Sequence, residues 1–160
     1  MSQPFHSDSA ADYPPTPIGV LVVDDQFAVR EGLARLLTCS ARPVRHVNTA
    51  ATGAEALLAA AKLLPNVVVL DADLDGEDGL ALIPQLSLTA GVLVLTSHGD
   101  AATRARAADL GALAFIEKHQ PAAELLAAID RIGQRPALGG QTSQVTFGTS
   151  SSPGWSQPPL

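Results

Sequence analysis

Five short runs of β-branched and aliphatic residues, each followed by a stretch rich in Ala and Leu, limit what this chain can fold into. Residues 18–23, 44–47, 67–70, 92–95 and 114–116 read as strands buried on both faces, the pattern of a parallel sheet enclosed by crossover helices. Between them, Val29, Leu33, Leu36 and Leu37 recur at helical spacing, as do Ala54, Leu57, Leu58 and Ala61, and then Leu125, Ile129 and Ile132. Asp100 is placed to cap the fourth helix, Gly111 to stop it, and Pro121 to open the fifth. The third helix is the irregular one, because Pro84 removes a hydrogen bond and presses on the preceding carbonyl, so it should start late or bend. Right-handed crossovers then give an open, doubly wound α/β sheet whose ligands bind at the carboxyl ends of its strands.

Length allows one such domain and little more: 160 residues, of which 46% are apolar and 16% charged. Residues 1–17 carry Pro4, Pro14, Pro15 and Pro17 among Ser and Asp and read as a disordered leader. Residues 136–160 are Gly, Ser, Thr, Gln and Pro with Phe147 and Trp155 isolated, and read as a disordered tail. The folded domain is expected over residues 18–135. One cysteine, Cys39, cannot form an intrachain disulfide, and no signal peptide or membrane-length apolar run is present, which predicts a cytoplasmic protein. A net charge of −6 without any basic run argues against a protein that tracks nucleic acid.

Seven of the sixteen acids lie in two short clusters, Asp24-Asp25 and Asp71 to Asp78. Asp24 and Asp25 follow the first strand, Asp71 the third and Thr96 the fourth, while Lys118 stands two residues past the fifth. All five should converge on one rim. Like charges at ~4 Å repel by ~4 kcal/mol at an effective dielectric of 20, a cost that a divalent cation removes. An all-oxygen donor set favours a hard ion such as Mg²⁺. A carboxylate nucleophile, a hydroxyl and a lysine beside it are the parts of a phosphoryl-transfer site. Taken singly, each residue has an ordinary explanation: a solvated strand end, a terminal hydroxyl, a surface lysine. The joint arrangement is the signal.

The runs VLVVDDQFAVREGLARLL, VVVLDADLDGEDGL, VLVLTS and FIEK resemble the receiver domain of bacterial response regulators over about residues 18–133. The opening resembles the subfamily whose receivers usually carry a LuxR-type helix-turn-helix. That resemblance implies a flavodoxin-like, three-layer fold with strand order 2-1-3-4-5. It makes Asp71 the phosphoacceptor, with Mg²⁺ held by Asp25 directly, by Asp24 mainly through water, by Asp71 and by the backbone carbonyl of Asp73. Thr96 and Lys118 would bind phosphoryl oxygens, and Phe115 would be the aromatic that turns inward as Thr96 moves. Asp73 and His98 fall at positions that tune dephosphorylation in the family. One departure concerns shape: Asp75 stands where the family usually has Pro, so the loop after the third strand should differ. The partners implied are a histidine kinase or histidine phosphotransfer protein upstream, and a protein effector or self-association downstream.

Three alternatives fit parts of the pattern. DADLDG begins like a calcium EF-hand loop, but Leu82 stands where its bidentate Glu is needed. VVVLDADLD resembles a haloacid-dehalogenase phosphatase, with Asp71 as nucleophile and Asp73 as general acid, but the acidic cluster expected after the lysine is missing. The third is a receiver-like interaction module that works without phosphorylation. Residues 136–160 lack the helical periodicity and basic charge of a DNA-reading domain, so output should pass through protein contacts rather than DNA or a membrane. His6, His46 and His119 have no evident partners and read as solvated, and Cys39 as a helix-end residue packed on apolar neighbours.

Overall fold

A computed structural model of the chain describes residues 16–136. The expected leader (but for its last two residues) and the expected tail (but for Pro136) lie outside the described residues. Five parallel strands form the main sheet: β1 (Ile18–Val23), β2 (Val44–Ala50), β3 (Val67–Leu70), β4 (Gly91–Thr96) and β5 (Ala114–Glu117), in the spatial order β2-β1-β3-β4-β5. The helices are α1 (Phe27–Cys39), α2 (Gly53–Leu63), α3 (Ile83–Leu86), α4 (Ala101–Leu110) and α5 (Ala122–Gly133). This is the doubly wound, flavodoxin-like α/β architecture read from the sequence.

Every residue of β1, β3 and β4 is buried, as expected of central strands covered on both faces. Alternate side chains feed two cores. Leu21, Val23, Val68, Leu70, Val92 and Val94 pack with Ala56, Ile83, Leu86 and Ala107, and Ile18, Val20, Val22, Val67, Val69 and Leu93 pack with Leu37, Leu125, Ile129 and Ile132. Each fully buried Val, Leu or Ile contributes roughly 1.5–3 kcal/mol relative to exposure, so this two-sided burial fixes where the strands end. β2 runs three residues past its apolar core, because on an edge strand only one flank must be covered.

Local signals act as the sequence suggested. Asp100 accepts a 2.7 Å hydrogen bond from the Thr103 amide at the start of α4, and Gly111 ends it at φ +116°. Pro121 is the residue just before α5 rather than its first turn. α3 does start late: a 3₁₀ turn (Gly79–Leu82) precedes it, which puts Pro84 in the first α-helical turn, where no hydrogen bond is lost. Three minor expectations are corrected. His46 is half-buried over Gly19, with its Nε2 buried and without a hydrogen-bond partner. His119 is exposed as expected but does have a neighbour, with Nδ1 3.4 Å from Glu117 Oε2. Cys39 ends α1 but is exposed.

Candidate functional site

The strand ends deliver the acidic groups to one edge. Asp24 directly follows β1, and its amide donates to the Ala50 carbonyl at the end of β2; the Asp71 amide, after β3, donates to the Val23 carbonyl. Both residues are buried, at 2% and 7% exposure, and Asp25 is half-buried beside them. Carboxylate oxygens of Asp24, Asp25 and Asp71 come within 4.8 Å of one another. Lys118 Nζ lies 2.7 Å from Asp24 Oδ2 and 3.0 Å from Asp71 Oδ2. The lysine is placed by the backbone, since its own amide donates to the Thr96 carbonyl at 2.7 Å.

Asp24 and Asp71 are also held from their other side. Asp24 Oδ1 accepts from the Gln26 amide at 2.9 Å, and Arg30 Nη1 reaches the Asp24 carbonyl at 2.7 Å. Asp71 Oδ1 accepts from the Asp73 amide at 3.2 Å, leaving Oδ2 toward Lys118. Burial pushes the Asp71 carboxyl above its ordinary range, and the Lys118 and Asp73 hydrogen bonds only partly offset this. Burial works against the Lys118 charge, but its contacts with Asp24 and Asp71 win and hold its pKa above the usual value. A cleft of about 300 Å³ opens over this cluster, lined by Asp25, Asp71, Asp73, Thr96, His98 and Lys118 together with Gln26, Asp75, Gly76 and Ser97.

Of the residues singled out in the sequence, Asp24, Asp25, Asp71 and Lys118 meet directly, and Asp73, Thr96 and His98 border the same cleft. Thr96 makes no hydrogen bond to the carboxylates. Its hydroxyl accepts from the His98 amide at 3.3 Å and lies 3.4 Å from the His98 carbonyl. Phe115 lies apart from the cleft, half-buried on edge strand β5 with Arg104 4.5 Å over its ring.

Asp75, where the resemblance led to an expected change of loop shape, sits in a tight turn after β3. Asp73–Leu74 and Glu77–Asp78 pair as a tiny antiparallel ribbon, turned by Asp75 at φ +57° and Gly76 at φ +88°. Two central residues with positive φ make a type I′ turn, which suits Asp-Gly and which proline, locked near −65°, cannot form. Gly79 closes the segment: a Cβ there would lie 2.1 Å from the Asp71 carbonyl oxygen, so no side chain fits.

The five acids between Asp71 and Asp78 do not form one pool of charge, because their contacts divide them. Asp73 Oδ1 accepts from the Gly76 amide inside the turn, and Glu77 Oε1 from the Gly53 amide at the start of α2 at 3.0 Å. Asp78 makes a two-pronged pair with Arg106 on α4, at 2.7 and 3.1 Å, which holds its carboxyl below the ordinary range. The sequence reading missed these anchors; the Asp75-Gly76 dipeptide was the available signal for the turn.

Comparison with known proteins agrees with this geometry. Residues 20–130 match the family model described as the response regulator receiver domain. The response regulator MprA of Mycobacterium sp. (strain KMS) is 36% identical over 136 residues, covering 82% of this chain and 58% of that protein. The transcriptional regulatory protein FixJ of Azorhizobium caulinodans is 37% identical over 134 residues, covering 81% and 59%. The chain therefore spans somewhat over half the length of these relatives. A crystal structure of a LuxR-family two-component response regulator from Aurantimonas sp. SI85-9A1 superposes with a TM-score of 0.68 at 30% identity, covering 74% of this chain and 86% of that one.

Proposed function

The chain belongs to the response regulator receiver family, and on that premise we propose that Asp71 takes a phosphoryl group from a histidine kinase or histidine phosphotransfer protein. The observation that carries the reading is the cluster itself: three carboxylates within 4.8 Å, two of them sharing the Lys118 ammonium at 2.7 and 3.0 Å. A trio of this kind, two of its members buried, has a charge excess that a cation and a phosphoryl group together can use.

The donor set fits a hard divalent cation, since every available ligand atom is oxygen. Asp24, Asp25, Asp71 and the backbone carbonyl of Asp73 would hold Mg²⁺, whose chemistry when bound is to neutralise charge on the phosphoryl oxygens. An Asp71 carboxylate oxygen attacks phosphorus, the P–N bond of the phosphohistidine breaks, and its electron pair stays on the imidazole nitrogen. Lys118 pairs with one phosphoryl oxygen. Thr96 leaves the His98 amide and donates its hydroxyl to another. Asp73 and His98, at the mouth of the cleft, govern how water reaches the phosphoaspartate and so how long the signal lasts.

The chain acts as a switch rather than a turnover enzyme, promoting only its own phosphorylation and dephosphorylation. Phe115 follows Thr96, and the changed surface around α4 and β5 contacts a protein effector or a second copy. Among the described residues no helix is long and apolar enough to cross a membrane; the compartment we assign is the cytoplasm. Intact-mass spectrometry after incubation with acetyl phosphate tests the reading. We expect one acid-stable, hydroxylamine-labile phosphoryl adduct with Mg²⁺ and none with EDTA; an unmodified wild type in Mg²⁺ would overturn it.

A further inference from the structure

The Phe115 ring, half-buried on edge strand β5 and packed against the core, is held from two further directions. Over one face of the ring lies the Arg104 guanidinium, 4.5 Å from the ring centroid. Arg104 is itself pinned to β5, with Nη1 3.4 Å from the Phe115 carbonyl and Nη2 3.8 Å from Glu117 Oε1. The second restraint is the loop between β4 and α4. A Cβ on Gly99 would come within 2.7 Å of Phe115 Cε1 and 3.0 Å of Glu117 Cγ, so the ring lies close against the loop backbone and a side chain there would have to push it aside. That same loop is tied to Thr96 through the His98 amide and carbonyl.

These contacts form a connected path from the Thr96 hydroxyl through His98 and Gly99 to the ring. Phenylalanine has no hydroxyl with which to anchor itself at the surface. An apolar ring on an edge strand gains by moving to a more buried site unless something covers it. A cation stacked over its face supplies that cover.

We propose that Arg104 is a positioning residue, a latch that holds Phe115 in its present place until the Thr96–Gly99 loop moves, and so sets how readily this receiver switches. The proposal rests on the reading of Asp71 and Phe115 given above. Loss of the latch raises the unphosphorylated population of the moved ring, the arrangement that phosphoryl contacts favour, and a larger acceptor-ready fraction speeds capture of a phosphoryl group. The expected gain is about two- to fivefold, the size of an exposed cation–π contact. A surface ion pair with a purely structural role would not raise that rate.

The test uses the full chain labelled with fluorophenylalanine, followed by ¹⁹F NMR, with the Phe115 signal assigned by Phe115→Leu. In unliganded Arg104→Gln the Phe115 resonance should move toward the position it takes in wild type with beryllofluoride and Mg²⁺. Arg104→Lys, which keeps charge but loses planar stacking, should lie between. Modification by acetyl phosphate should accelerate in the same order. A Phe115 resonance in unliganded Arg104→Gln that coincides with wild type, with an unchanged rate, overturns the latch while leaving phosphorylation of Asp71 intact. If wild type takes up no phosphoryl group, the reading of Asp71 falls, and the unliganded resonances still decide whether Arg104 holds the ring.

Discussion

Asp24 and Asp71 are buried and share one ammonium, whereas Glu77 and Asp78, a few residues beyond Asp71, are exposed and reach two different helices. The two regions have the same side-chain chemistry and opposite energetics. In the first, desolvation raises the cost of every charge, and removing a counter-charge leaves another stranded. In the second, water screens the charges, and the acids serve as tethers that hold the turn between α2 and α4. Acid content alone therefore says little; the distance from each carboxylate to its partner, and the water between them, decides which acids can do chemistry.

The comparison is broken most severely by Lys118→Met. Without a divalent cation it strands Asp24 and Asp71, and urea unfolding in EDTA should show a loss of about 3 kcal/mol, with much of it recovered in excess Mg²⁺. An equal loss in EDTA and Mg²⁺ would mean the lysine is only a packing residue. Next in size is Asp75→Pro, which forces φ from +57° to about −65° and should cost about 2 kcal/mol by the same measurement, with or without cation.

Smaller effects separate the regions by sign. Burial raises the Asp71 carboxyl, so its ionisation costs stability as pH rises from the unfolded value of about 3.8 through the higher folded one. In EDTA, Asp71→Asn should match wild type in acid and exceed it in Tm toward neutral pH. Arg106 lowers the Asp78 carboxyl, so that stabilisation is present above the unfolded value and is lost as pH falls through the folded one. Asp78→Asn should thus fall slightly below wild type at neutral pH, by about 1–2 °C at most, and match it in acid. Parallel pH profiles for the two variants would erase the distinction.

Much of this was legible because the informative features repeat. Alternation of β-branched runs with helical spacing marks all five strands, and reading the residue after each strand finds Asp24, Asp71 and Thr96 without any knowledge of contacts. Pro84 announced the late start of α3. The ribbon at residues 73–78 escaped because two residues per arm are too short to show a period of two, although Asp75-Gly76 is a recognised turn pair. Partners distant in sequence escaped for a different reason. Nothing local in Asp78 points to Arg106, and nothing in Phe115 points to Arg104 and Gly99; only the crossover packing of α4 on the sheet brings them together.

The central claim is that Asp71, and no other acid at this edge, carries the phosphoryl group. Borohydride reduction of wild-type protein treated with acetyl phosphate and Mg²⁺, followed by peptide mapping in the mass spectrometer, reads the modified position directly. The account predicts a single reduction product, at position 71. A product at position 73 or 75, or at several positions at once, would contradict it.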